Sequence, residues 1–180
     1  DDVIGTLTDA AAEKGCQVYI CSKDKDLEQL ISDTVFMYDP KTETVTDIAA
    51  LKENKGISPE QVIDVLTLVG DTSDNVPGVP DVGPKTALQW IGQYGSLEKL
   101  LENQDQIKGK RGENLRAAGL QLELSRRLVT INRQVPLAID WAELAVKPVN
   151  RSALVKIFKK LNFSRLLAQL DEIAGKEESA

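Results

Sequence analysis

Histidine is absent from all 180 residues, which removes His-dependent triads, His general bases and most zinc sites from consideration. Cysteine occurs only twice, at Cys16 and Cys21, on either side of an apolar, β-rich stretch. The expectation is a pair of reduced core thiols in a cytosolic protein, rather than a disulfide or a metal pair. No apolar run approaches the ~18 residues that span a bilayer, and no positively charged start precedes a signal-like segment. The first residue is Asp1, not Met, which reads as a chain that was processed, cut from a longer parent or lacking its start. Internal repeats and low-complexity tracts are missing too. What is present, 42% apolar residues over this length, suffices for one real core.

The net charge of −6 argues against a nucleic-acid partner on its face, but the distribution does not. Residues 1–107 hold 8 Lys+Arg against 20 Asp+Glu, whereas residues 108–165 hold 13 against 4. An acidic front joined to a basic back is a sharper clue than the total. Ordinary solvated helix faces are the plain alternative.

Organisation follows from periodicity and punctuation. Val3, Ile4, Leu7 and Ala11 fall at helical spacing, and Gly15 is a good stop. "QVYIC" reads as a buried parallel strand, "LEQLIS" as a short helix, "TVFMYD" as a second strand and "TETV" as an edge or hairpin return. That alternation belongs to a Rossmann-like α/β lobe with too few strands to close its sheet, as though cut on its N-terminal side. Beyond Thr46 the chain reads as helical. Ser58, Pro59 and Gln61 make a capping box, Gly83 and Pro84 open "PKTALQWIGQY", and Ser96 opens "LEKLLEN". Further helices are expected at 112–129, 151–161 and 164–173, with an irregular, extended stretch from Arg133 to Pro148. The expected division is residues 1–56 for the α/β lobe, 57–174 for the helical region and 175–180 for a solvated linker.

The acidic residues come in pairs. Asp1 and Asp2 begin a helix, Asp24 and Asp26 follow a strand where α/β sheets place ligands, and Asp71 and Asp74 are three apart, on one face if helical. These six carboxylates could converge at one sheet edge, but like charges cannot gather unpaired. Hard Mg²⁺ or Mn²⁺ resolves the repulsion, and two such ions roughly 4 Å apart can drive phosphodiester hydrolysis. Helix-start preference, loop polarity and turn chemistry explain each pair taken singly.

"GDTSDNVPGVPDVGPKTA", residues 70–87, joins the last pair to a glycine turn between two helices. Gly78 and Gly83 let backbone approach a ligand, while Val79 and Val82 can plug underneath. Gly83, Pro84, Lys85 and Thr86 make a helix N-terminus with free N–H groups, a cation and a hydroxyl, an arrangement suited to phosphate without base contacts. It is not a Walker motif, since Pro84 stands between Gly83 and Lys85. Lys108, Lys110 and Arg111, with some part from Arg126 and Arg127, are candidates for the duplex-facing side.

Taken in order, the opening "DD", "SKDKDLEQL", the 70–87 stretch, "YGSLEKLLEN" and "LSRRLVTI" resemble the 5′-nuclease family, which includes flap endonucleases and the 5′→3′ exonuclease domain of bacterial DNA polymerase I. The resemblance runs over most of residues 1–165 and implies a truncated PIN-like nuclease lobe followed by an all-α DNA-binding region, with a helix–three-turn–helix at about 64–94. It implies that Asp1, Asp2, Asp24, Asp26, Asp71 and Asp74 are catalytic ligands of two divalent ions. Gly78, Val79, Gly83, Lys85 and Thr86 would then lie at the duplex backbone, with K⁺ at the turn in some relatives. The implied substrates are flaps, nicks, 5′-ended duplex and RNA primer–DNA hybrids, and the implied setting is the bacterial cytoplasm, near the nucleoid, with polymerase domains joined in the parent chain.

The family's Glu two residues before the first paired Asp, its upstream aspartates and its upstream basic residues have no counterpart in this sequence, which matches the C-terminal two-thirds of the nuclease. Residues 1–180 by themselves are therefore expected to bind DNA weakly and cleave nothing. A non-enzymatic duplex-binding module is the alternative, although a pure binder has no use for six carboxylates near a phosphate. An RNA-cleaving nuclease of related α/β type fits less well, because such domains lack the helical turn.

Overall fold

Capping and periodicity set the elements of the computed structural model, which describes residues 1–177. Helix α1 (Asp2–Glu13) ends before Gly15, whose φ of 77° is the left-handed stop that glycine adopts most cheaply. Strand β1 (Val18–Cys21) pairs in parallel with β2 (Val35–Asp39), Val18 opposite Val35 and Cys21 opposite Tyr38. The crossover between them is a 3₁₀ helix, Lys25–Leu30. Strand β3 (Thr44–Thr46) returns antiparallel on β2, so the order is β1-β2-β3.

Helix α2 (Ile48–Lys55) is capped by Asp47 and stopped by Gly56. Helix α3 (Pro59–Val69) carries the capping box, with the Ser58 N–H donating to Gln61 Oε1 at 2.8 Å. Helices α4 (Pro84–Tyr94), α5 (Leu97–Glu102) and α6 (Lys110–Val129) follow. Helix α6 starts two residues earlier than its apolar pattern suggests and departs from helical geometry at Gly119 (φ 21°, ψ −111°), where the missing Cβ allows it.

One core runs across the residue 56/57 border between element types. It joins Leu27, Leu30, Val35 and Leu51, before that border, to Ile57, Leu68, Ile91, Leu100 and Leu115 beyond it, each no more than 1% exposed. Each fully buried Leu contributes about 1.5–3 kcal/mol relative to exposure. A buried glutamine stitches this unit across 100 residues of sequence: Gln29 Nε2 donates to the Val129 carbonyl at 2.9 Å, and the Ile131 N–H donates to Gln29 Oε1 at 3.0 Å. Both ends of the amide are satisfied, so its burial is not penalised.

Residues 1–137 make up this first unit. In the second, beginning at Ala138, helices α7 (Arg151–Lys160) and α8 (Ser164–Glu177) pack on each other. Residues 131–150 form neither helix nor strand, the irregular stretch expected.

Two expectations need correction, and the packing of α1 adds a finding its apolar spacing did not specify. Cys16 and Cys21 are free, as read, but both are exposed and not core thiols: Cys16 precedes β1, and alternation along β1 turns Ile20 inward and Cys21 outward. Val3 and Ile4 are 48% and 38% exposed, and α1 instead packs through Gly5 and Thr8. A Cβ on Gly5 would lie 2.7 Å from Ile131 Cγ2, so the closest approach selected the smallest residue over the apolar ones. Helix α8 continues to Glu177, past the expected start of a linker at 175, because Ala174, Lys176 and Glu177 are good helix formers that outweigh one glycine; residues 178–180 lie outside the described residues.

Candidate metal centre and phosphate-binding turn

Two segments 46 residues apart build the acidic corner. After β1 the chain turns at Ser22, whose Oγ accepts from the Asp24 N–H at 3.1 Å. Asp24 then caps the 3₁₀ helix, its Oδ1 accepting from the Asp26 N–H at 3.0 Å. The capping geometry spends Asp24 on backbone and aims Asp26 toward the second segment. That segment is not helical but a turn: Asp71 and Val76 exchange both backbone hydrogen bonds at 2.9 and 2.7 Å. Asp71 Oδ1 accepts from the N–H groups of Ser73 and Asp74 at 2.8 and 3.3 Å, which folds Asp74 back beside it.

Asp26, Asp71 and Asp74 consequently each place a carboxylate oxygen within 4.8 Å of the other two. Burial raises the Asp26 carboxyl above its ordinary value, and the neighbouring Asp24 charge adds to the shift. Asp71 moves the other way, to about 2, held down first by its hydrogen bond from Lys25, whose Nζ lies 2.7 Å from Asp71 Oδ2. Asp26 Oδ1 is buried with no hydrogen-bond partner. Hard carboxylate oxygens, one of them orphaned, fit a divalent cation.

Asp1 and Asp2 do not join this group. Asp1 sits at the N-cap of α1, and Asp2 Oδ1 accepts from the Asn132 N–H at 2.9 Å. Three of the six carboxylates thus converge among the described residues.

The turn from Gly70 to Gly83 leads directly out of the acidic corner. Val79 and Val82 are 3% and 5% exposed and plug the turn from beneath, as expected. Gly78 has an internal reason to be glycine: a Cβ there would stand 2.1 Å from the Val69 carbonyl oxygen. Gly83 meets no such neighbour, caps α4 and is exposed together with Pro84 and Lys85, with Thr86 half-buried behind them. An exposed N-terminus of an 11-residue helix beside a cation offers free N–H groups and positive charge, chemistry that suits an anion such as phosphate.

Helix α6 grips this turn from the other side. Arg111 Nε donates to the Asp81 carbonyl at 2.9 Å, and Asn114 Nδ2 donates to the Pro80 carbonyl at 2.8 Å and to Asp81 Oδ2 at 3.0 Å. Ser125 Oγ donates to the Pro77 carbonyl at 2.5 Å. These bonds hold Asp81 at φ 64°, a conformation costly for a residue with a Cβ. Arg111 therefore serves the turn's carbonyl. Lys110 lies 3.5 Å from Glu113, and Lys108 is exposed.

Arg126, itself partly exposed, pairs with exposed Glu98 and reaches buried Asp64, whose Oδ1 lies 3.1 Å away. Asp64 Oδ2 also accepts from the Leu97 N–H at 2.9 Å. Asn114, Ser125, Gln29 and Asp64 carried no local signal in the sequence. Lys25 carried one, its place between two aspartates.

Two family models match the chain: "5'-3' exonuclease, N-terminal resolvase-like domain" over residues 1–56 and "5'-3' exonuclease, C-terminal SAM fold" over residues 57–152. DNA polymerase I of Bacillus subtilis is 40% identical over 184 residues, covering 99% of this chain and 21% of that protein. A 5'-3' exonuclease of Aquifex aeolicus is 36% identical over 173 residues, 96% of this chain and 59% of that protein. The flap endonuclease of phage T5, solved as a pseudo-enzyme–product complex with DNA and metal ions, superposes with a TM-score of 0.61 at 25% identity, over 71% of this chain and 48% of that one. The chain thus spans about a fifth of the polymerase and under two thirds of the other two.

Proposed function

Because the chain belongs to the 5'-3' exonuclease family, we propose that it is the part of a metal-dependent, structure-specific 5′ nuclease that supplies carboxylate ligands and grips the DNA backbone. The convergence of Asp26, Asp71 and Asp74 on one point, with a buried oxygen of Asp26 unpaired, carries this reading. Mg²⁺ or Mn²⁺ suits an all-oxygen donor set of this kind, and once bound it supplies Lewis-acid stabilisation of phosphodiester hydrolysis. Lys25 holds the Asp71 carboxyl low, and a bound cation would offset the burial that raises the Asp26 carboxyl. The helix start at Gly83–Thr86, exposed through Lys85, binds backbone phosphate without reading bases, and Lys85 adds a point charge there. The α6 side chains keep the turn in shape for that contact.

The substrates proposed are 5′-ended, nicked or flapped DNA and RNA primer–DNA hybrids, in a bacterial parent that also carries polymerase domains. No helix among the described residues is long and apolar enough to cross a membrane. Asp74→Ala in the intact parent tests the assignment under single turnover with a flapped substrate. Cleavage is expected to fall at least about 100-fold, the upper range for loss of a mere outer-shell partner, while duplex affinity holds or improves. A near-wild-type rate at saturating Mg²⁺ removes the metal assignment, whereas retained binding without cleavage in the wild type favours a duplex-binding module.

A further inference from the structure

Lys25 is flanked in sequence by Asp24 and Asp26, yet its ammonium reaches across to Asp71 Oδ2 at 2.7 Å. The other oxygen, Asp71 Oδ1, already accepts from the Ser73 and Asp74 N–H groups. Both oxygens of Asp71 are thereby engaged, while Asp26 Oδ1 in the same cluster is buried and unpaired. A divalent ion binds a carboxylate lone pair at about 2.0–2.6 Å and repels an ammonium held on the same atom. Entry of the ion through Asp71 Oδ2 therefore requires Lys25 to leave.

Leaving is easy. The Lys25 side chain is 48% exposed and sits on a flexible four-carbon stem, so it can swing away without moving the backbone. Its Cα stays anchored in the first turn of the 3₁₀ helix, between the two aspartates. The freed ammonium remains at the rim of the acidic corner, where an anionic phosphate is the partner it lacks.

On the premise of the metal reading above, we infer that Lys25 is a built-in competitor for the divalent ion: it occupies the Asp71 oxygen that the ion takes, and passes to the substrate phosphate when displaced. Lys25 is a positioning residue in this role and carries no proton in the reaction. Metal loading and phosphate binding then reinforce each other, because the group that opposes the first assists the second.

Titration calorimetry with Mn²⁺ on the wild type, Lys25→Met and Lys25→Arg reads the competition directly, with circular dichroism confirming equal fold. Lys25→Met is expected to bind Mn²⁺ roughly three- to tenfold tighter, and Lys25→Arg, which keeps the charge, to stay near wild type. At saturating Mn²⁺ the sign reverses: a short 5′-phosphorylated oligonucleotide is expected to bind Lys25→Met roughly tenfold more weakly. Lys25→Gln, neutral and of similar reach, must show the same pair of shifts. Mn²⁺ affinity unchanged or weakened in both neutral variants overturns the inference, and so does oligonucleotide affinity that does not respond. A wild type that takes up no Mn²⁺ defeats the metal reading itself, an outcome distinct from a wild type that binds while the neutral variants bind no tighter.

Discussion

The acidic corner and the glycine turn share the segment from Gly70 to Ala87 but are held together by opposite means. In the corner, side-chain charge does the organising: three carboxylates meet, one sits in an ion pair, and one keeps a buried oxygen unpaired. In the turn, backbone packing does it, through two plugged valines, a glycine in contact with the preceding helix, and carbonyls tied to α6. The difference teaches where each region is vulnerable. A corner assembled against electrostatic repulsion loses chemistry before it loses stability. A turn assembled by close approach loses stability first, and its ligand contact with it.

The largest effect should come from forcing a side chain into the turn. Gly78→Ala places a Cβ 2.1 Å from the Val69 carbonyl oxygen, and is expected to cost about 3 kcal/mol or more. The urea midpoint measures this, and a loss below about 1 kcal/mol would show that the turn backbone can give way.

Asp26→Asn probes the corner in the opposite sense. Burial and the Asp24 charge both disfavour the charged form of Asp26, so the neutral amide should leave the urea midpoint unchanged or raised while flap cleavage in the parent falls about 100-fold or more. A clear drop in stability would erase the contrast between the two regions.

Lys85→Ala is a smaller perturbation on the exposed lip of the turn. Duplex affinity should weaken by a similar factor for unrelated sequences, and the slope against log salt should shrink by about one phosphate contact. Fluorescence anisotropy on two duplexes over a salt series checks both. A loss confined to one sequence would mean base contact in place of backbone contact.

The smallest effect concerns the network behind the turn. Arg126 holds Glu98 at about 2, below its ordinary 4.5. The folded chain keeps that carboxylate ionised to lower pH than the unfolded chain does, so the stabilisation is full above 4.5 and fades as pH falls toward 2. Glu98→Gln should therefore lower the urea midpoint slightly at pH 7 and flatten its decline toward pH 3. An acid decline as steep as the wild type's would place the linkage elsewhere.

Local chemistry made much of this protein legible from its sequence. Caps at Ser58, Gly83 and Ser96, the stop at Gly15, and the alternation on β1 and β2 act within a few residues, and they set the element order. The same short range marked Val79 and Val82 as the plugs of the glycine turn, and both are buried. Tertiary structure alone decided which carboxylates meet. Asp24 and Asp26 have the same spacing to either neighbour, yet capping turns one to backbone and frees the other. It also chose Lys25 as the partner of Asp71 and set Arg111, Asn114 and Ser125 against the turn, across 30 to 48 residues of chain. Residue type and spacing state what a side chain can bind, but its partner depends on how close packing brings distant segments, and that is settled only when the core closes.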